Sequence, residues 1–384
     1  MRERASHRPE TGTFSVVIGL QRGRRPGAGP GNGEATARQL GTAQLPVRCL
    51  ESARGGCESR AVISDLVDLR DVALTPAERS VTSAVVERLI RTAPEWVDDT
   101  AWQARARSQS CHLPVRLLEA IRSFRYDGGL SGRLSVTNLP IDVASLPGTP
   151  NEADSVERSV TVPAALAMLL GLQLGEVIAY RDEKQGAMVQ NVVPVRSLAR
   201  SQSNGGSVPL EFHTENAFHP DRPHYVGLLC LRPAHEGQVG TRVASIRRAL
   251  PLIDDASRAI LHEDRFVTAA PPSFRLASRS APRPVLEGST DDPDLCVDFH
   301  ATTALDEPAA RALARLREAL MEVRADLVLS PGDMVFLDNR LVVHGRVGFQ
   351  PRYDGSDRWL HRVFVHLDSR RTRPRRIDNG SVLV

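Results

Sequence analysis

Short apolar or alternating runs recur along the chain between residues 133 and 367. They are RLSVTNLP, EVIAYRD, AMVQNVVPV, LEFHTE, YVGLLCL, TRVASI, LCVDFH, DMVFLDN and RWLHRVFVHL. Alternation of apolar and polar residues predicts a half-buried β-strand, because successive side chains of a strand point to opposite faces. Many short strands separated by turn residues are typical of a β-sandwich or barrel.

Three stretches instead place apolar residues at helical spacing. In the first, Thr75-Pro-Ala-Glu78 has the residues of a capping box with proline in the first turn, and apolar positions follow from Val81. The other two helices are predicted over Val162–Leu172 and Pro308–Val323. Helices before and between the strands favour an α+β fold in which a β core carries the site.

Two further stretches lack such periodicity. Residues 1–60 are dominated by Gly, Pro and Arg, which predicts a disordered extension or a wrongly assigned start, with the folded domain over residues 61–384. The polar, proline-rich segment Ala269–Asp294 is predicted to be a long loop. Loops of this length in compact domains are often lids over a site.

Composition narrows the class of protein. With 41% hydrophobic and 25% charged residues, and no run of 18 apolar residues, the chain resembles a soluble globular protein. Ten of its 49 basic and five of its 46 acidic residues lie in residues 1–60, which leaves a near-neutral body and does not indicate a nucleic-acid partner. Five scattered cysteines without a CxxC pair argue against a disulfide framework or a thiolate zinc site, and for the reducing cytoplasm.

A histidine two residues before a carboxylate can be half of a metal site, and this pattern occurs four times, against about one chance occurrence. His213–Glu215 lies in an alternating run, where residues i and i+2 share a face and can bind one ion. His219–Asp221 is flanked by prolines and is predicted to be a solvated loop pair. His262–Asp264 lies in a helix-like stretch in which the two side chains diverge, and the fourth occurrence is His366–Asp368.

A third ligand is suggested by the block SPGDMVFLDNRLVVHGR, where a turn and a strand lead to His344, and the adjacent Gly345 allows other atoms to approach closely. Two histidines and one carboxylate form the facial arrangement of non-haem Fe(II) oxygenases, although a lone histidine can also be a satisfied core residue. Farther on, Arg358 and Arg362 share one face of a predicted strand. Inward arginines are costly unless they bind anions, and arginine binds carboxylates through two parallel hydrogen bonds.

Two of these segments, HTENAFHPDRPHYVGLLCLR and PGDMVFLDNRLVVHGRVGFQPRYDGSDRWLHRVFV, resemble the clavaminate synthase-like branch of the Fe(II)/2-oxoglutarate oxygenases. That branch includes β-hydroxylases of free amino acids, some acting on asparagine and some on arginine. The resemblance covers about residues 61–370. It implies a double-stranded β-helix, or jelly roll, with flanking helices and a lid, together with Fe(II), 2-oxoglutarate and O2.

The resemblance also implies roles for individual residues. His213, Glu215 and His344 match the iron ligands of the branch. Arg358, fourteen residues after His344, matches the arginine that binds the distal carboxylate of 2-oxoglutarate, and Thr241 matches a threonine that assists it. An intact Glu215 argues against the related halogenases, which need that position for chloride.

Four other residues match the amino-acid pocket of the branch. Arg362 corresponds to the arginine that meets the α-carboxylate, and Glu183 to the contact of the α-amino group. Asp298 and Asn204 together suit a side-chain amide, with one acceptor and one donor, although Asn204 could simply be a turn residue before two glycines. Arginine hydroxylases have a second acid where this chain has Cys296, which weakens an arginine assignment.

The resulting hypothesis is an L-asparagine 3-hydroxylase of a secondary-metabolite pathway. Within the enzyme class, the alternatives are hydroxylation of another polar amino acid, such as arginine or lysine, or of one tethered to a carrier protein. Outside it, a jelly-roll protein could bind a metal or a small acid without turnover. A basic N-terminus that tethers nucleic acid is the weakest alternative.

Overall fold

The computed structural model describes residues 71–91, 93–235, 239–271, 274 and 278–384. The predicted extension over residues 1–60 lies outside these residues, so the domain boundary near residue 61 stays a prediction. None of the helices in the described ranges is both long enough and apolar enough to cross a membrane.

Seven α-helices lie in the described part of the chain. They are α1 (Pro76–Ile90), α2 (Thr100–Ser110), α3 (Val115–Tyr126), α4 (Val162–Leu174), α5 (Ile246–Ala249), α6 (Asp255–Leu261) and α7 (Glu307–Glu322). The three predicted helices are confirmed as α1, α4 and α7, and the ends of α4 and α7 lie within two residues of those predicted. At the start of α1, the Thr75 hydroxyl accepts from the Glu78 amide at 3.2 Å and the Glu78 carboxylate accepts from the Thr75 amide at 2.8 Å, so the capping box is also confirmed.

The β-strands are short, as the alternating runs predict. They are β1 (Val72–Ala73), β2 (Arg133–Thr137), β3 (Val156–Glu157), β4 (Glu176–Tyr180), β5 (Val189–Val192), β6 (Leu210–His213), β7 (Tyr225–Arg232), β8 (Thr241–Ser245), β9 (Phe266–Thr268), β10 (Leu286–Gly288), β11 (Pro293–Leu295), β12 (Thr302–Ala304), β13 (Ala325–Leu327), β14 (Met334–Asp338), β15 (Val342–Arg346), β16 (Trp359–His366) and β17 (Val382–Leu383).

Two sheets form the jelly-roll core. The larger has the order β1-β2-β14-β7-β16-β4-β17, with β5 added beside β16 and β3 beside β5, and the smaller has the order β13-β8-β15-β6. Side chains alternate between two hydrophobic clusters: on β14, Phe336 packs toward helices α1–α4, whereas Val335 packs toward the smaller sheet. The site therefore lies between the two sheets. Helices α1–α4 cover the outer face of the larger sheet, and α5–α7 pack with the cluster that contains the smaller sheet.

Two predictions about the region before α7 are wrong in part. Ala269–Asp294 is not one continuous loop, because it contains β10 and the start of β11, and its Phe274 is only 9% exposed. The run LCVDFH does not form a strand beyond Leu295. Its Asp298 carboxylate accepts from the amides of His300 and Ala301, and these bonds turn the chain instead of extending it.

Candidate active site

His213 and His344 lie side by side on neighbouring strands of the smaller sheet. His213 ends β6, His344 lies in the middle of β15, and the two are directly paired in the antiparallel register, with their rings 4.3 Å apart. Glu215 follows two residues after His213, and one ligand atom from each of the three residues lies within 4.8 Å of the others. A Cβ at Gly345 would meet the Leu210 carbonyl oxygen at 2.5 Å, so glycine is required for this close approach of β6 and β15.

The protonation of this trio suits a metal ion. His213 Nδ1 lies 2.9 Å from the Glu211 carbonyl oxygen, so a proton on Nδ1 leaves Nε2 as the free lone pair. Burial, together with the neighbouring His213, lowers the pKa of His344 and keeps its imidazole neutral. Burial by itself would raise the pKa of Glu215, but the Arg362 guanidinium and His344 outweigh it and hold that pKa well below its usual range. Two imidazoles and one carboxylate fit Fe(II).

Asn339, which sequence reasoning missed, holds the backbone at Glu215. Its side-chain oxygen accepts from the Glu215 amide at 2.8 Å, and its Nδ2 donates to the carbonyl oxygens of Glu215 at 3.1 Å and Pro223 at 2.8 Å. Asn339 follows β14 in the turn that leads to His344, and it is 1% exposed. The turn that precedes one candidate ligand thus fixes the position of another.

Arg358 and Thr241 meet at one end of the cavity. Thr241 opens β8, Arg358 immediately precedes β16, and Arg358 Nη2 lies 3.3 Å from Thr241 Oγ1. Burial lowers the pKa of Arg358 to about 10, so the group stays cationic at neutral pH. Within the described residues no carboxylate forms an ion pair with Arg358. A buried cation of this kind is suited to an anionic ligand.

Arg362 is surrounded by carboxylates instead. Its Nη1 donates to Glu215 at 2.8 Å, its Nε donates to Gln190 at 3.1 Å, and its Nη2 forms an ion pair with Glu183. Burial raises the pKa of Glu183, and the nearby Glu215 raises it further, against the lowering effect of Arg362. Asn216, held in the left-handed region at φ 52, donates to the second oxygen of Glu183 at 3.3 Å. Gln190 and Asn216 carried no recognisable sequence signal, because their partners are far away along the chain.

Asp298 lies beside the candidate metal ligands because residues 297–299 run antiparallel to β6, with an isolated bridge between His213 and Asp298. One oxygen of its carboxylate accepts from the amides of His300 at 2.8 Å and Ala301 at 3.1 Å. The other oxygen has no hydrogen-bond partner among the described residues. Asn204 lies in the loop between β5 and β6, inside the turn closed by a bond from the Gly206 amide to the Ser203 carbonyl oxygen, so it is a turn residue before two glycines as well as a residue that lines the cavity.

One cavity of about 400 Å³ brings all the predicted site residues together. The residues in question are Glu183, Asn204, His213, Glu215, Thr241, Asp298, His344, Arg358 and Arg362. Of the other histidine–acid motifs, the predicted solvated pair at His219–Asp221 is a wrong prediction. Asp221 is 6% exposed and forms an ion pair with Arg375, because the C-terminal segment covers it.

Comparison with known proteins gives four relevant matches. The family model described as "Taurine catabolism dioxygenase TauD, TfdA family" matches residues 161–364. L-asparagine oxygenase of Streptomyces coelicolor is 42% identical over 314 residues, covering 82% of this chain and 94% of that protein. Clavaminate synthase 2 of Streptomyces clavuligerus is 35% identical, covering 68% of this chain and 82% of that protein. A solved structure of asparagine oxygenase with Fe(II), 2S,3S-3-hydroxyasparagine and succinate superposes with a TM-score of 0.80 at 42% identity, covering 82% of this chain and 99% of that one.

Proposed function

This chain belongs to the TauD/TfdA family of Fe(II)- and 2-oxoglutarate-dependent dioxygenases, and from that premise we propose that it hydroxylates free L-asparagine at Cβ. The observation that carries the choice of substrate is the single available carboxylate oxygen of Asp298, in the cavity that Asn204 also lines. Family membership sets aside the alternative of a jelly-roll protein without turnover.

His213, Glu215 and His344 would hold the iron, and Arg358 with Thr241 would hold the distal carboxylate of 2-oxoglutarate. When bound, the iron supplies the oxidative chemistry in which O2 and 2-oxoglutarate give succinate, CO2 and a hydroxylated product. The chain would contribute orientation and the exclusion of water, through a cavity that lies between the two sheets.

The amino-acid head group would be recognised by Arg362 and Glu183. These two side chains are paired with each other, so a zwitterion can enter by giving its α-carboxylate to Arg362 and its α-ammonium to Glu183 with no change in net charge. Arg362 has an α-carboxylate to bind only if the amino acid is free. This favours a free amino acid over one tethered to a carrier protein.

The side chain of the substrate would be read by Asp298 and Asn204. Because one Asp298 oxygen is occupied by two backbone amides, the carboxylate can accept one N–H from an amide but cannot offer both oxygens to a guanidinium. Cys296 supplies no second acid, since its thiol donates to the Ala217 carbonyl oxygen at 3.3 Å. The negative charge of Asp298 also disfavours aspartate, whose side chain would be repelled.

The segment that starts at Ala269 would cover the bound amino acid. Ala269, Ala270 and Pro271 line the cavity, and the Phe274 ring packs on Phe218 with ring centres 4.7 Å apart. A lid anchored in this way would restrict water around the oxidant. We further place the enzyme in the cytoplasm, in a secondary-metabolite pathway.

The test is a turnover assay. Purified protein with Fe(II), ascorbate, 2-oxoglutarate and air is offered each of the twenty free amino acids, and both succinate and a product heavier by one oxygen are followed. We expect stimulated turnover with asparagine, and weaker or no turnover with aspartate, arginine and lysine. Turnover with arginine or lysine alone would contradict the choice of substrate, whereas no turnover with any amino acid would contradict a free substrate.

A further inference from the structure

Arg346 is a buried arginine that is not among the residues proposed to bind iron, 2-oxoglutarate or the amino acid. It lies on β15 two residues after His344, so both side chains point to the same side of the smaller sheet, and it is 4% exposed. In the register of β15 and β8 it is paired with Thr241. Arg346 therefore lies between the end of the cavity that would bind 2-oxoglutarate and the wall that carries Asn204.

The hydrogen bonds of Arg346 go to the loop formed by residues 199–209. Its Nη1 lies 3.4 Å from the Asn204 carbonyl oxygen and its Nη2 lies 3.2 Å from the Val208 carbonyl oxygen. Its Nε has no hydrogen-bond partner, and no carboxylate of the described residues pairs with it. The planar guanidinium thus connects the tip of the loop to the strand of a candidate iron ligand.

An apolar side chain would fill this space at lower cost than a buried cation with two carbonyl partners. Desolvation of a charge in a protein interior costs several kcal/mol by general estimates, and it is only partly offset by hydrogen bonds. A buried arginine here is therefore better explained by its positioning the residues 199–209 loop than by its filling space in the core.

The rest of the loop shows what Arg346 adds. The base of the loop is closed by Gln202, whose Oε1 accepts from the Glu211 amide at 3.0 Å and whose Nε2 donates to the Pro209 carbonyl oxygen at 2.8 Å. The backbone near Asn204 is tightly folded, since a Cβ at Gly206 would meet the Ser201 carbonyl oxygen at 2.1 Å. Arg346 is the side chain that reaches the carbonyl of Asn204 itself.

We propose that Arg346 is a positioning residue that holds loop 199–209 against β15 and thereby keeps the Asn204 amide at the cavity. The inference rests on the proposed function in one respect, namely that Asn204 meets the substrate side chain. It does not require Arg346 to touch either substrate.

The first experiment compares the parent with Arg346→Met, which keeps the length and volume of the side chain but removes the donors. We expect the KM for asparagine to rise about tenfold, the loss typical of hydrogen bonds to a charged group, with the KM for 2-oxoglutarate changed less than about twofold. Arg317→Met is the matched control, because Arg317 is half-exposed and pairs with Glu211 on the neighbouring strand, and we expect it to behave as the parent. A rise in the KM for 2-oxoglutarate equal to that for asparagine would overturn the proposal.

The second experiment is independent of turnover. Hydrogen exchange should become faster in Arg346→Met at the Ser207 and Val208 amides, which bond to the Ala199 carbonyl oxygen, while β8 and β16 keep the exchange of the parent. If the parent hydroxylates another amino acid, the proposed function fails, but exchange in the loop still decides the role of Arg346. Unchanged exchange in the loop would overturn that role.

A double-mutant cycle covers the case in which Arg346→Met folds poorly. Arg346→Lys retains the charge with one fewer directed donor group and should give an intermediate KM for asparagine. In an Asn204→Ala background, either Arg346 substitution should change that KM less than about twofold, because the group it positions is gone. Full additivity of the two substitutions would contradict the proposal.

Discussion

Arg358 and Arg362 lie four residues apart and are both buried, yet their surroundings differ in charge. In the described part of the chain, the one side chain that hydrogen-bonds to Arg358 is Thr241, whereas Arg362 is shared between Glu183 and Glu215. An unpaired buried cation gains most from an added anion, such as the distal carboxylate of 2-oxoglutarate. A charge-balanced pair can instead exchange partners with a zwitterion, so each end of the cavity matches the net charge of the ligand that we propose for it.

The largest effect is expected on stability when Arg362 is replaced. Arg362→Met leaves Glu183 and Glu215 buried without their cation, and we expect metal-free protein to lose about 3–5 kcal/mol of unfolding free energy and all turnover. Arg358→Met in metal-free protein should change stability by less than about 1 kcal/mol, or raise it, because it removes an unpaired charge. Urea unfolding measures both, and equal losses in the two variants would break the comparison.

Replacing Arg358 should instead have its main effect on the binding of 2-oxoglutarate. Arg358→Met removes the charge-assisted partner of the distal carboxylate, and we expect the KM for 2-oxoglutarate to rise at least about 100-fold, the scale of a buried charge pair. The KM for asparagine, measured at saturating 2-oxoglutarate, should stay near that of the parent. A larger effect on asparagine than on 2-oxoglutarate would exchange the roles of the two arginines.

A smaller effect is expected when Asp298, which we propose to contact the substrate side chain, is replaced. Asp298→Asn should lower kcat/KM for asparagine about tenfold to 100-fold, because the carboxylate acceptor and its charge are lost. The new amide can donate to a carboxylate, so turnover of aspartate should increase. Parallel assays of both amino acids measure the switch, and an unchanged preference for asparagine would show that Asp298 does not read the side chain.

The smallest effect near neutral pH concerns His361, which lies between the two arginines along the chain. Burial lowers the pKa of His361 to about 3, below the ordinary value of 6.5, so below pH 6.5 the unfolded chain binds a proton that the folded protein does not. The contribution of His361 to the unfolding free energy is therefore fully present above about pH 6.5. It falls by up to about 1.4 kcal/mol per pH unit as the pH is lowered toward 3. His361→Leu should flatten the pH dependence of urea unfolding, and an unchanged slope would contradict this assignment.

Local patterns in the sequence determined a large part of this protein. The capping box at Thr75 and the apolar spacing of α4 and α7 predicted helices, because these signals act within one or two turns. Strand alternation indicated that His213 and Glu215 could bind one ion, although β6 ends at His213 and Glu215 lies in the turn that follows. The glycine beside His344 indicated a close approach of strands, which is confirmed. The resemblance of two segments then indicated the family, which the comparisons confirmed.

Only the tertiary structure decided which groups share a hydrogen bond across long stretches of chain. Asn339 holds the Glu215 backbone across 124 residues, Asn216 meets Glu183, and Arg346 reaches the Asn204 carbonyl across 142 residues. The prediction for Asp221 was wrong for the same reason, because its partner is Arg375, which is far away along the chain. Periodicity reports which face a side chain occupies, but the packing of distant strands and loops decides which partner it meets there.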